Sequence, residues 1–164
     1  MPVTELGSSD RLLAELRGWV EAETPTTDAA AVNRLLDRCQ AELAAVGGAL
    51  RRVPGRDGFG DTLLCRTPGD GAPVVVAGHL DTVWDHGTLA GPMPWRVENG
   101  RAYGPGIYDM KAGSFMAFHS VREILRRKTP TNRPITLLLT PDEVVGSPTS
   151  RAPIEAASRG ARAA

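Results

Sequence analysis

The chain has 164 residues, 41% hydrophobic and 23% charged, with 19 Lys and Arg against 19 Asp and Glu. That is the composition of an ordinary globular domain with one sizeable core, and the neutral balance argues against nucleic-acid or anionic-membrane partners, which attract a basic patch. No apolar run approaches the ~18 residues that span a bilayer, and the polar start from Met1 to Asp10 lacks a secretion signal.

The first predicted element is an amphipathic helix over residues 10–22, with Leu12, Leu13, Leu16, Trp19 and Val20 at helical spacing. Thr24, Pro25, Thr26 and Thr27 break it. Thr27 or Asp28 can cap a second helix that runs to about Val46, where Gly47 and Gly48 end it. Cys39 in this helix and Cys65 further on have no metal spacing and are too few for a disulfide framework, so free thiols and a cytoplasmic setting are expected. Residues 49–53 and 62–65 read as strands around the glycine-rich loop 54–61. Residues 73–77 are apolar and β-branched, which suits a strand buried on both faces. Residues 95–97 and 101–103 form a predicted hairpin about Glu98-Asn99-Gly100. A helix is predicted over 110–127, a second buried strand over 135–139, and a weakly patterned helix from Ser147 to the end. Arg122, Arg126, Arg127 and Lys128 read as a solvated helix end that suits the helix dipole.

This order predicts an α/β fold: a mixed, largely parallel sheet with helices on both faces. The chain shows no internal repeat and no interior linker. The tail offers only Ile154 as a large apolar anchor, so the domain is expected to be unfinished at residue 164.

Three segments could carry chemistry. The first is Gly78-His79-Leu80-Asp81-Thr82, just past a buried strand, where α/β folds build their sites. Residues two apart in extended chain face one side, so Asp81 can take the ring proton of His79 and leave the other nitrogen for a metal. The bland alternative is a histidine satisfied by a backbone carbonyl. The second is Gly104-Pro105-Gly106-Ile107-Tyr108-Asp109-Met110-Lys111, leading into a helix that Asp109 could simply cap. The third is Thr140-Pro141-Asp142-Glu143-Val144-Val145-Gly146-Ser147, which follows the second buried strand and could be no more than a polar turn. His86 and His119 read as non-ligands. If the two buried strands are neighbours, His79, Asp81, Asp109 and Glu143 are expected to converge at their carboxyl ends.

Together the three segments resemble the metal motifs of the zinc exopeptidase and deacylase family of glutamate carboxypeptidase, acetylornithine deacetylase and succinyl-diaminopimelate desuccinylase. The first motif is matched by residues 75–84, the second by residues 100–113 in a form closest to glutamate carboxypeptidase, and the third by residues 138–143 with Gly146 and Ser147. The resemblance covers nearly the whole chain but about the first half of a typical member.

It implies that residues 1–164 are the amino-terminal part of an incomplete zinc-exopeptidase catalytic domain, with the dimerisation and lid domain absent. It implies that His79 binds one zinc, that Asp109 bridges two, that Asp81 orients His79, and that Glu143 is the general base. It also implies a cis peptide after Asp109. Two zincs roughly 3.5–4 Å apart hold and acidify a water that attacks an amide carbonyl, and a nearby carboxylate takes its proton. The implied substrate is a peptide or an N-acyl amino acid.

The sequence departs from this pattern at Val144, where the family has an acidic zinc ligand after the base. A further acidic ligand and a final histidine are expected beyond residue 164. The chain by itself is therefore expected to bind zinc weakly and to be inactive, a non-catalytic fragment or pseudoenzyme. The remaining alternative is a small binding domain on an α/β scaffold, in which His79 and Asp109 lie more than ~8 Å apart, too far for bonds of about 2 Å to one zinc.

Overall fold

Helix α1 (Ser9–Val20) begins one residue ahead of the predicted start, because the Ser8 side chain accepts from Arg11 N and caps it. The structure, a computed structural model, describes residues 8–164, so the polar start from Met1 to Gly7 lies outside the described residues. Helix α2 (Ala29–Ala45) is capped by Asp28, whose carboxylate accepts from Ala31 N at 2.9 Å. Strands β1 (Ala49–Val53) and β2 (Thr62–Arg66) follow as predicted, and β3 spans Val74–His79. Strands β4 (Arg96–Glu98) and β5 (Arg101–Tyr103) form the expected hairpin, turned by Asn99 and Gly100 at φ 51 and 73. Helix α3 (Ala112–Arg127), strand β6 (Ile135–Thr140) and helix α4 (Arg151–Ser158) complete the order.

The main sheet runs β1-β2-β6-β3. It is mixed, as predicted, but its parallel share is smaller than expected. Among the described strands β3 and β6 pair in parallel, while β1–β2 and β2–β6 are antiparallel. The loop between β1 and β2 is too short for a crossover and turns the chain straight back. β6 is central and buried from Thr136 to Thr140. β3 departs from the expectation of burial on both faces. It is the sheet's edge among the described residues, and its Ala77 is exposed. On its outer side Val75 N donates to Ala163 O at 2.9 Å. The tail is thus helical only over α4; Gly160, at φ 94, turns it away to run beside β3.

Side-chain alternation sorts the two faces. A Cβ on Gly78 would lie 2.5 Å from Ser114 Oγ, so α3 crosses directly over that residue. Leu139, the register partner of Gly78, joins a core with Trp19, Leu36, Leu43, Leu63, Phe118 and Leu137. Ala77 and its partner Leu138 point the other way, toward Ile154 of α4, which shares a cavity with Ala77. Helices therefore lie on both faces. Trp19 packs against Phe115 and Phe118 with ring centroids 5.5 and 5.2 Å away, a geometry that adds to the area term. Cys39 and Cys65 are free and buried in this core. Burial pushes the Cys65 thiol up to about 11 and the Cys39 thiol higher still. No helix among the described residues is long and apolar enough to cross a membrane.

The basic cluster of α3 is a solvated helix end at Arg126 and Lys128, which are exposed, but not at Arg122. Arg122 is only 13% exposed and pairs with Glu15 of α1 at 2.6 Å and with Glu42 of α2. Its position on α3 faces the seam between those two helices, which one helix read alone cannot reveal. Arg126 and Arg127 close on Glu123 at 2.6 and 3.0 Å. The Arg126 guanidinium, helped by Arg127 and opposed by burial, holds Glu123 down to about 2.

Two outcomes follow for stability. Replacing Arg122 with Met takes one of two guanidinium partners from each glutamate, since Glu15 keeps Arg11 and Glu42 keeps Arg38, and is expected to lower unfolding free energy by about 1 kcal/mol; urea denaturation measures it. Glu123 has a folded pKa depressed from 4.5, so its contribution is present above pH ~4.5 and lost as pH falls toward ~2. Glu123→Gln should remove that acid limb, and the urea midpoints of variant and parent should converge near pH ~2.

Candidate functional site

Parallel pairing of β3 and β6 in register, His79 opposite Thr140, brings two strand ends to one place. The His79 ring is 3% exposed. Its Nδ1 faces the Asp81 carbonyl oxygen at 3.0 Å and the Asp81 carboxylate at 3.2 Å. Its Nε2 lies 3.0 Å from Asp109 Oδ1 and 3.5 Å from Glu143 Oε2. With acceptors behind Nδ1, that nitrogen carries a proton, and Nε2 faces the two carboxylates and donates to Asp109 while the imidazole is charged. Burial alone pushes the imidazole pKa down, but Asp81 and Asp109 outweigh it and raise it to about 9.

Asp109 reaches this point through an irregular turn. Gly106 adopts φ 69, and a Cβ there would lie 2.3 Å from Thr82 Cγ2, so only glycine lets this turn press against the segment after β3. A single π turn, Ile107–Lys111, follows. Within it Asp109 (φ −120, ψ 100) and Met110 (φ −131, ψ 37) are not helical, and the peptide between them is cis, as the resemblance implies. The regular helix thus starts at Ala112 and not at Met110. It has no side-chain cap, so Asp109 does not serve as one; its carboxylate instead points at His79.

Asp81 has no exposed surface and collects donors from three segments. Thr26 Oγ1 donates to it at 2.8 Å, and Glu143 N and Val144 N each donate at 3.3 Å. The short 3-10 turn Glu143–Val145 after β6 is thereby tied to β3. Asp142, adjacent in sequence to Glu143, turns the other way. It is fully buried and accepts from Thr149 N at 2.7 Å, Thr149 Oγ1 at 2.8 Å, Ser150 N at 3.2 Å and Ser150 Oγ, fastening the start of α4. Of the two acidic residues in the third segment only Glu143, 57% exposed, joins the cluster.

Sequence reasoning missed two buried polar residues beside the site. Lys111 is 1% exposed and donates from Nζ to Trp19 O at 2.9 Å, and burial lowers its pKa to about 8 against the attraction of Glu23. Ser114 Oγ donates to His79 O at 2.7 Å. The second segment marks Lys111 only as the start of a helix. The other two histidines lie elsewhere: His86 Nε2 meets Asp28 at 2.9 Å, and His119 packs by Phe115 and Arg122.

The ligand-capable atoms of His79, Asp109 and Glu143 all lie within 4.8 Å of one another. The imidazole of His79 and the carboxylate of Asp109 suit a zinc ion bound at about 2.0–2.2 Å, with the Glu143 carboxylate close beside them. The cluster borders a cavity of about 190 Å³ shared with Thr140 and Ile154. On the other flank of Asp109 a cleft of about 410 Å³ is lined by Trp84, Tyr103, Tyr108 and Val144. Val144 thus presents an isopropyl group to an apolar cleft.

A sequence profile of the family described as Peptidase family M20/M25/M40 matches residues 75–163. Over 142 residues the chain is 32% identical to carboxypeptidase G2 of a Pseudomonas species, covering 85% of this chain and 34% of that protein. Over 114 residues it is 33% identical to the succinyl-diaminopimelate desuccinylase of Rhodospirillum centenum, covering 66% and 30%. Among solved structures, human carnosine dipeptidase 1 superposes with a TM-score of 0.71 at 20% identity, covering 90% of this chain and 35% of that one. The M20 family metallo-carboxypeptidase Sso-CP2 of Sulfolobus solfataricus superposes with 0.62 at 16% identity, covering 83% and 32%. These superpositions establish a shared fold. The chain spans about a third of the length of these relatives.

The carboxylate of Asp81 gives a direct test of the geometry. Asp81→Asn replaces one acceptor oxygen by a donor amide facing other donors. It is expected to speed amide exchange at Glu143 and Val144 by at least tenfold while amides of β6 stay protected, as read by hydrogen–deuterium exchange; unchanged exchange at both would contradict the network.

Proposed function

The chain belongs to peptidase family M20/M25/M40, and on that premise we propose that its residues form the amino-terminal part of a zinc metallohydrolase site for the amide bond of a peptide or N-acyl amino acid. The observation that carries this reading is the approach of His79, Asp109 and Glu143 to within 4.8 Å of one another, with Asp81 behind the imidazole. The separation of 3.0 Å between His79 and Asp109 favours it over a plain binding domain.

In this reading His79 and Asp109 hold zinc. Asp81 keeps one proton of His79 on Nδ1, so that Nε2 would offer its lone pair to a metal on giving up the second proton. The metal, when bound, polarises the substrate carbonyl and brings the pKa of its water to about 7. Glu143 would take a proton from the water as its oxygen adds to the amide carbonyl carbon, and would deliver it to the amine nitrogen as the C–N bond breaks. Its position suits proton transfer, because the carboxylate is exposed yet lies 3.5 Å from His79 Nε2, at the rim of the smaller cavity. The partner is a small molecule, with no nucleic acid or membrane involved.

Val144 offers no electron pair where the resemblance implies a second carboxylate ligand. These 164 residues supply His79 and Asp109 of the five ligands a two-zinc centre takes in that family, and hydrolysis belongs to a site with all of them. The expected outcome for the chain by itself is weak zinc binding and no turnover of N-acyl amino acids or folyl-type glutamate conjugates, in the parent and in Val144→Glu alike. Calorimetric zinc titration and amidase assays measure both. His79→Ala should abolish what zinc binding there is. Tight binding of two zincs with chelator-sensitive hydrolysis would overturn the reading of Val144 and of His79 and Asp109 as too few ligands.

A further inference from the structure

The loop joining α1 to α2 carries Thr24, Pro25, Thr26 and Thr27, which the sequence marks only as a helix break. In the structure it runs alongside the segment that follows β3. Thr26 N donates to Thr82 O at 3.1 Å and Thr82 N to Thr24 O at 2.9 Å, with Pro25 and Thr82 bridged in parallel. Thr24 Oγ1 donates to Leu80 O at 2.5 Å. These bonds hold the loop at a fixed register beside Asp81, and that register decides where the Thr26 hydroxyl goes.

The hydroxyl is 2.8 Å from Asp81 Oδ2 and 3.2 Å from Thr82 O. A hydroxyl has one proton to give, and the shorter, charged acceptor takes it. Thr26, Asp81 and His79 are 4%, 0% and 2% exposed, so water does not stand in for any of them. The other donors to the Asp81 carboxylate, Glu143 N and Val144 N, are longer at 3.3 Å. Thr26 therefore makes the shortest bond to this carboxylate and sets its rotation. That rotation places Oδ1 against His79 Nδ1 at 3.2 Å, where it shares the ring N–H with the Asp81 carbonyl oxygen at 3.0 Å.

We propose that Thr26 is a positioning residue of the metal site: its hydroxyl fixes the Asp81 carboxylate, and through it the orientation of the His79 imidazole. The inference rests on the reading of His79 as a zinc ligand. Thr26 acts on the metal only through Asp81 and His79, and touches neither metal nor substrate. A purely structural role would rest on its backbone bonds and its methyl group, which two substitutions separate. Thr26→Val keeps the shape and removes the hydroxyl; Thr26→Ser keeps the hydroxyl and removes the methyl.

The test is zinc titration of the 164-residue chain and of both variants, with urea midpoints measured alongside. Thr26→Val should weaken zinc binding about tenfold, at the low end of what loss of an outer partner costs a metal site. Thr26→Ser should stay within about twofold of the parent. Unchanged affinity in a folded Thr26→Val, or an equal loss in both variants, would overturn the inference. A slowly exchanging Thr26 hydroxyl proton in the NMR spectrum of the parent provides a check that needs no variant; its absence would overturn the inference as well. His79→Ala separates the two levels. If it abolishes zinc binding while Thr26→Val does nothing, the positioning role alone fails. A parent that binds no zinc, or a His79→Ala that binds as the parent does, sinks the reading and the inference together.

Discussion

A carboxylate with no exposed surface must find its donors inside the fold, or folding leaves a charge stranded. Asp81 finds them in the Thr26 hydroxyl, the His79 imidazole and the backbone N–H groups of Glu143 and Val144. These come from the loop ahead of α2, the end of β3 and the turn after β6, segments more than 50 residues apart in the chain. The arrangement exists only once β3 and β6 are paired in register, so one buried charge links the correct sheet to the correct site. Asp142 repeats the device one step outward, securing the start of α4 with its own set of donors.

Much of the scaffold was legible because its signals are local. The 3.6-residue spacing of Leu12, Leu16 and Trp19, the cap at Asp28, the turn at Asn99-Gly100 and the β-branched run before His79 each act within a few residues. The candidate site residues were legible for another reason: His79 and Asp109 as ligands and Glu143 as base stand in segments whose resemblance to a known family is specific. What escaped depends on partners far away in sequence. Arg122 looked like a solvated cation until α1 and α2 each brought a glutamate to it. Thr26 looked like part of a helix break until the loop lay down beside Leu80 and Thr82. The direction of β1 and β2 relative to β6 is likewise a property of how loops close, which residue patterns do not encode.

Asp109 stands between two unlike spaces. On one side are His79, Glu143 and a small cavity; on the other is a larger cleft faced by Trp84, Tyr103 and Tyr108. The turn that holds it is built from exceptions: a left-handed Gly106 against Thr82, a π turn, and a buried Lys111 that reaches back to the end of α1. Regular helix resumes only at Ala112. The irregularity is confined to the residues that deliver one carboxylate, while Ser114, in the first turn of α3, fastens the new helix to the backbone of His79.

The two cysteines bear on how the protein meets oxidants. Thiolate, not thiol, is the species that peroxide and disulfides attack. With Cys39 and Cys65 walled into the core and their thiols held protonated, neither offers that species at neutral pH. Met116 on α3, 64% exposed, presents its thioether to solvent. Oxidation of that thioether gives a surface sulfoxide that reductases can reverse, and it leaves the packing around Leu36, Leu43 and Leu63 untouched.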